Sequence, residues 1–266
     1  MSLVRVAVVA SVSIFAAMIG SRASADSSPL RVAAASDLAQ AFKEVGAAWE
    51  KKSGDKVVFS FGSTGLLEKQ LVEGAPFDLF AAANVSFADD AIKAGVCAAD
   101  SKALYARGRL VVWWRKDNEA KVAPPKSLAE LADKRFVKIA IANPAHAPYG
   151  KAAQEALTKA GLWNAVQPKL VYGENIQQTL QFARSGNAEA ALVALSLALV
   201  APDGDSLTVD EKLHTPIDQA LVTCGHDAAR TPRARAFAAF VASPDGRNIM
   251  RRYGFLLPGE THASPK

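Results

Sequence analysis

The chain has 266 residues, half of them apolar, 21% charged and 8% aromatic. That suffices for one large or two medium globular domains and excludes a disordered polymer, a disulfide-dense mini-protein and a collagen-like repeat. The net charge of +5 arises from 31 Lys and Arg against 26 Asp and Glu spread along the chain, without the concentrated basic stripe of a nucleic-acid binder.

Residues 1–25 read as a signal peptide. Arg5 precedes an apolar run from Val6 to Gly20, and Ala23-Ser24-Ala25 puts small residues where a signal peptidase reads. The run is short for a bilayer core of about 30 Å, so export with cleavage after Ala25 is expected rather than anchoring. No Cys lies near that site, which argues against a lipoprotein. In an oxidising compartment Cys97 and Cys224 either pair or remain two separate small buried residues; the sequence leaves both readings open. His146, His214, His226 and His262 have no metal-ligand spacing with either cysteine.

Beyond the leader, short β-like runs alternate with helical patterns. Leu30–Ala35 reads as a strand, followed by a helix with Leu38, Phe42, Val45 and Trp49 in one stripe, since spacings of four, three and four share a helix face. Ser53-Gly54-Asp55 ends that helix and Lys56–Phe61 is the next strand. Gly62-Ser63-Thr64-Gly65 opens a helix through Leu67, Leu71 and Val72, and Phe77–Ala81 is a third buried strand. Arg109–Trp114 forms a long strand, after which the rhythm restarts. Strands are expected at Val137–Ala142, Lys169–Tyr172, Ala190–Leu195 and Pro216–Thr223. Helices are expected at Gly150–Ala160 and Ile176–Ser185, with a last one through Phe237, Phe240 and Val241. The pattern implies an α/β protein of two lobes, each a mostly parallel sheet flanked by helices, with two crossovers. The expected division is lobe I at 26–108 and 222–258, lobe II at 109–221, and a disordered tail at 259–266.

Four strand-to-helix corners carry the chemistry: Ala35-Ser36-Asp37-Leu38, Gly62-Ser63-Thr64-Gly65, Ala147-Pro148-Tyr149-Gly150 and Gly173-Glu174-Asn175-Ile176. Each offers unpaired N–H groups at a helix start, where roughly half a positive charge resides. Any one alone reads as an ordinary N-cap. Together, in an exported chain without a catalytic constellation, they point to a small anionic ligand held at the carboxyl ends of strands.

The run Arg31–Leu38 resembles the opening of the periplasmic molybdate-binding proteins that serve ABC transporters. Phe61–Leu66 is similar to their second ligand segment, Gly74–Phe80 to a following strand, and Ala142–Gly150 to their second-lobe anion loop. Glu174-Asn175-Ile176 and Arg252–Phe255 continue the likeness in order. The resemblance implies the type II periplasmic-binding-protein fold, a periplasmic location, no cofactor, a molybdate or tungstate ligand, and a membrane permease as partner; a monomer is expected. It also implies oxyanion contacts at Ser36, Asp37, Ser63, Thr64, Tyr149 and Ile176, with molybdenum held only through its oxygens. Asp37 is expected to offer its backbone N–H and to turn its side chain away to cap the helix, and Tyr149 and Ile176 to offer backbone amides. Some relatives have a Tyr donor where this chain has Ala194, so that Ser196, the Tyr149 hydroxyl or a water is left to fill the place.

Another tetrahedral oxyanion, sulfate or phosphate, is the alternative cargo. An exported hydrolase is the remote one: Ser36-Asp37, or Ser63 with His146, can be read as fragments of a triad, but no Gly-x-Ser-x-Gly elbow is present. Asp78 reads as a buried structural acid, the four tryptophans as packing, and Arg107 and Arg109 as hinge or interlobe salt-bridge residues.

Overall fold

The computed structural model describes residues 28–117, 122–225, 227 and 229–260; the leader, His226 and His262 lie outside them. The chain builds β1 (Leu30–Ala35), α1 (Ala39–Ser53), β2 (Val57–Gly62), α2 (Thr64–Val72), β3 (Leu79–Ala82), α3 (Val85–Lys93) and β4 (Ala103–Gly108). It crosses over into β5 (Leu110–Arg115), β6 (Ile139–Ala142), α4 (Pro148–Lys159), α5 (Trp163–Val166), β7 (Leu170–Gly173), α6 (Ile176–Arg184), β8 (Ala190–Ala194), α7 (Leu195–Ala198) and β9 (Gly204–Thr208). It then returns through β10 (Ile217–Thr223), α8 (Thr231–Ala242) and α9 (Pro244–Arg252).

Two five-stranded sheets result, ordered β2-β1-β3-β10-β4 and β7-β6-β8-β5-β9. Three neighbouring strands in each are parallel, as βαβ units require. The strands that follow the crossovers, β5 and β10, run antiparallel to both neighbours. The return to the first sheet precedes Ile217, not residue 222 as the sequence reading places it. From Ile217 opposite Gly108 to Thr223 opposite Leu79, β10 lies wholly in the first sheet. Gly259 and Glu260, expected in the tail, are described: Glu260 accepts from Arg251 Nε at 2.7 Å and lies 3.5 Å from Arg247.

The α1 stripe packs as its spacing predicts. Leu38, Phe42, Val45 and Trp49 are buried, and Trp49 meets Phe237 edge-on at 5.8 Å and Phe240 at 5.6 Å, favourable aromatic geometry. The expected helix through Phe237, Phe240 and Val241 is α8; a further helix, α9, follows it, because Pro244 cannot continue α8 and Ser243 caps α9.

Asp78 leads into β3, 5% exposed. It accepts from the Arg31 N–H at 2.7 Å and from Arg230 Nε and Nη2 at 2.8 and 2.7 Å. Burial alone would raise its pKa; the Arg230 and Arg31 contacts outweigh that and hold it below the usual carboxylate range. It is a structural ion pair, tying the first strands to the start of α8. The Cys97–Cys224 question is settled as a disulfide, joining the segment after α3 to the residue after β10.

Candidate functional site

The carboxyl ends of β1 and β2 in one lobe, and of β6 and β7 in the other, aim their helix starts at one place. Ser36, Asp37, Ser63, Thr64, Tyr149 and Ile176 all line one small cavity, together with small residues such as Ala35, Gly62, Ala83 and Ala147. All six are at least 96% buried. Among the described residues, no Lys or Arg lines the cavity.

Each corner leaves its donors differently placed. Ser36 opens a short 3-10 turn ahead of α1, and no described group bonds its hydroxyl. The Thr64 hydroxyl oxygen accepts from the Ala83 N–H at 3.3 Å, which leaves its proton available to a ligand. Tyr149 lies in the first turn of α4 and Ile176 begins α6, so their N–H groups lack intrahelical partners. Asn175 caps α6 by accepting from the Gln177 and Gln178 N–H groups, both at 3.0 Å, and thereby leaves Ile176 to the cavity side.

Ser63 is committed elsewhere. Its hydroxyl donates to the His146 carbonyl at 2.6 Å and lies 2.8 Å from His146 Nδ1. With its single proton on the carbonyl, the hydroxyl accepts from the ring, the reverse of the transfer a hydrolase needs. No carboxylate orients the His146 ring among the described residues. The same carbonyl accepts from the Gly65 N–H at 2.9 Å, an approach that glycine eases: a Cβ there would crowd that oxygen and the Phe87 ring at 3.0 Å. Ser63 and Gly65 therefore seam the two lobes together.

Asp37 departs from the sequence expectation. Its helix start has no side-chain cap. Instead Oδ2 accepts from the Tyr149 hydroxyl at 3.0 Å, across the lobes, and from Gln219 Nε2 at 2.6 Å. Gln219 Oε1 in turn accepts from the Tyr105 hydroxyl at 2.7 Å. Burial raises the Asp37 pKa to about 6, against the pull of Gln219, Tyr149 and the nearby Asp37 and Leu38 N–H groups. Burial, and then the Asp37 charge, push both tyrosines well above their ordinary range, so each keeps its proton and donates.

Ala194 ends β8, buried and without a donor. Neither hydroxyl considered in its place is free for an anion, since Ser196 Oγ donates to the Asp37 carbonyl at 2.7 Å and Tyr149 to the Asp37 carboxyl. Arg107 pairs with Asp218 within the first lobe, at 2.5 Å, and is not interlobe. Arg109 Nε donates to the Gly254 carbonyl at 3.1 Å, a hydrogen bond between lobes and not a salt bridge. Gln219, Tyr105 and the Asp37-directed role of Ser196 had no local signal, since their partners lie 114 or more positions away.

A larger open hollow, of about 310 Å³, lies at the amino ends of β1 and β3 beside Arg31, Asp78 and Arg230. Its guanidiniums are engaged by Asp78, so it offers an anion little.

Two α/β lobes, crossed twice by the chain and meeting over a cavity of helix starts, define a solute-binding protein of the two-lobed kind. The family model for bacterial extracellular solute-binding proteins matches residues 30–256, and the chain belongs to that family. It is 35% identical over 227 residues to the molybdate-binding protein ModA of Rhodobacter capsulatus, covering 84% of this chain and 86% of that one. The periplasmic molybdate-binding protein of Azotobacter vinelandii superposes with a TM-score of 0.79 at 28% identity, over 86% of this chain and 99% of that one. The sulfate-binding protein SubI of Mycobacterium tuberculosis H37Rv superposes at 0.75 with 14% identity, over 87% and 88% of the two chains, and shares the fold alone.

Proposed function

We propose that this protein binds molybdate, and tungstate with it, and delivers the anion to the permease of an ABC transporter. In this reading it works as a periplasmic monomer, released from its leader after Ala25. The observation that carries it is the cavity itself: helix starts from both lobes converge there with two small hydroxyls and no cationic side chain. Relatives at 35% identity, from Rhodobacter capsulatus and Azotobacter vinelandii, are named for molybdate. No helix among the described residues is long and apolar enough to cross a membrane.

The donors are the hydroxyls of Ser36 and Thr64 and the N–H groups of Ser36, Asp37, Thr64, Tyr149 and Ile176. Hydrogen bonds to a charged partner contribute about 1.5–3 kcal/mol each, so five to seven give roughly 10–15 kcal/mol gross. Immobilisation and lobe ordering leave about −8 to −11 kcal/mol, or dissociation constants from about micromolar to about ten nanomolar. Neutral donors reach that range while withholding the indiscriminate attraction a Lys or Arg would extend to any dianion. Selectivity then follows from fit, because amides spaced for a large tetrahedron stand too far from sulfate, and a donor-only cage disfavours protonated phosphate.

Calorimetry of the mature chain with molybdate, tungstate, sulfate and phosphate tests this. Tight binding of the first two is expected; a preference for sulfate defeats the reading. Thr64→Ala should weaken molybdate about 10- to 100-fold, the loss of one charge-assisted hydrogen bond, and should also cost about 1–3 kcal/mol of stability, because the Ala83 N–H loses its acceptor. Unchanged affinity would remove Thr64 from the contact set.

A further inference from the structure

The side chains around Asp37 spend their hydrogen bonds on one another across the lobe boundary. From the second lobe, the Tyr149 hydroxyl donates to Asp37 Oδ2 and the Ser196 hydroxyl donates to the Asp37 carbonyl. From the first lobe, Gln219 Nε2 donates to the same Oδ2 and is itself oriented by Tyr105. Gln219 Nε2 also stands 3.4 Å from the Tyr149 hydroxyl.

The assembly sits against a crossover. A Cβ on Gly108, the last residue of β4, would fall 1.9 Å from the Tyr149 hydroxyl and 3.0 Å from Gln219 Nε2. The chain thus leaves a side chain out at the point where it passes between lobes, and the phenol occupies the room. Asp37, Tyr149, Ser196 and Gln219 are all at least 96% buried, so the bonds between them exclude water.

We propose that Tyr149 and Ser196, closing on Asp37, form a clasp that holds the lobes together over the ligand, and that these two side chains are positioning residues that set the lifetime of the bound state rather than donors to the anion. The proposal rests on the binding reading above and deepens it. Tyr149 has two separable roles, its backbone N–H facing the ligand and its hydroxyl facing Asp37. Ser36 and Thr64 grip the cargo, and the clasp keeps the two halves of the cage in register. A clasp that stabilises the closed, liganded state slows its reopening and so lowers the apparent dissociation constant through the dissociation rate.

The test uses Tyr149→Phe, which keeps the ring and the backbone amide and removes only the hydroxyl, with Ser196→Ala as a second variant should the first fail to fold. Stopped-flow binding of molybdate and small-angle scattering of the ligand-free protein are measured on each. The expected result is dissociation about tenfold faster, in line with loss of one hydrogen bond to a charged group, with association within about twofold, and a larger radius of gyration without ligand. A merely structural role would lower the melting temperature without moving that split between rates. Wild-type dissociation and wild-type dimensions in the variant overturn the clasp. Should the wild-type protein bind none of molybdate, tungstate, sulfate and phosphate, the binding reading fails by itself, and the ligand-free dimensions of variant and wild type alone decide the clasp: an expanded variant supports it and equal dimensions overturn it.

Discussion

Asp37 shows how one residue couples stability to its surroundings. Its carboxyl is raised from 3.8 to about 6 chiefly by burial, so between those values the folded protein binds more protons than the unfolded chain. Stability therefore falls as pH rises through that window. The full contribution is present below about pH 4 and absent above about pH 6, a difference of about 3 kcal/mol from two pKa units. Asn in its place accepts the Tyr149 and Gln219 hydrogen bonds without titrating. Urea unfolding of the wild type and Asp37→Asn at pH 4 and pH 7 should thus show the wild type losing about 3 kcal/mol relative to the variant; a constant difference would mean that Asp37 does not titrate in this window. Asp78 works in the opposite sense. Its pKa is depressed by Arg230 and Arg31, so its contribution is lost as pH falls below the ordinary carboxylate value.

Among the elements, the disulfide ties together parts that the sheet alone would hold less firmly. It closes a loop of 127 positions, which in the chain-entropy account stabilises by about 4–5 kcal/mol. Replacing both Cys97 and Cys224 by Ser should lower the unfolding free energy by an amount of that order while leaving molybdate affinity within about twofold, since neither cysteine lines the cavity. A large loss of affinity would link the bridge to the site. The elements also show what can be read from residues alone. The α1 stripe and the runs of β1, β5, β6 and β8 were legible because buried strands and amphipathic helices leave strong apolar periods. The edge strands β4 and β9 were not: Ala103–Gly108 has an exposed Leu104, and Gly204–Thr208 is mostly polar, so neither forms an apolar run. All four corners could be located, because the change from an apolar run to a helical period is local, although only Asn175 among them caps its helix through a side chain. That Tyr149 would reach Asp37, 112 positions away, could not, because a long-range polar contact leaves no local period.

At the scale of the whole molecule, affinity should be almost indifferent to salt. The net charge of +5 is spread along the sequence, and no Lys or Arg lines the cavity. Attraction from distant surface charges is screened beyond about 10 Å at 0.1 M salt and about 3 Å at 1 M. The helix starts act within hydrogen-bond range inside a buried cage, where mobile ions do not intervene. A site built on guanidinium or ammonium groups at the surface would instead weaken steadily as salt rose. Molybdate titrations from 50 mM to 500 mM sodium chloride should therefore leave the dissociation constant within about threefold, with any change confined to the association rate, the step that long-range steering affects. A tenfold or greater loss carried by the dissociation rate would show that a cation holds the anion, and the cage of neutral donors would have to be abandoned.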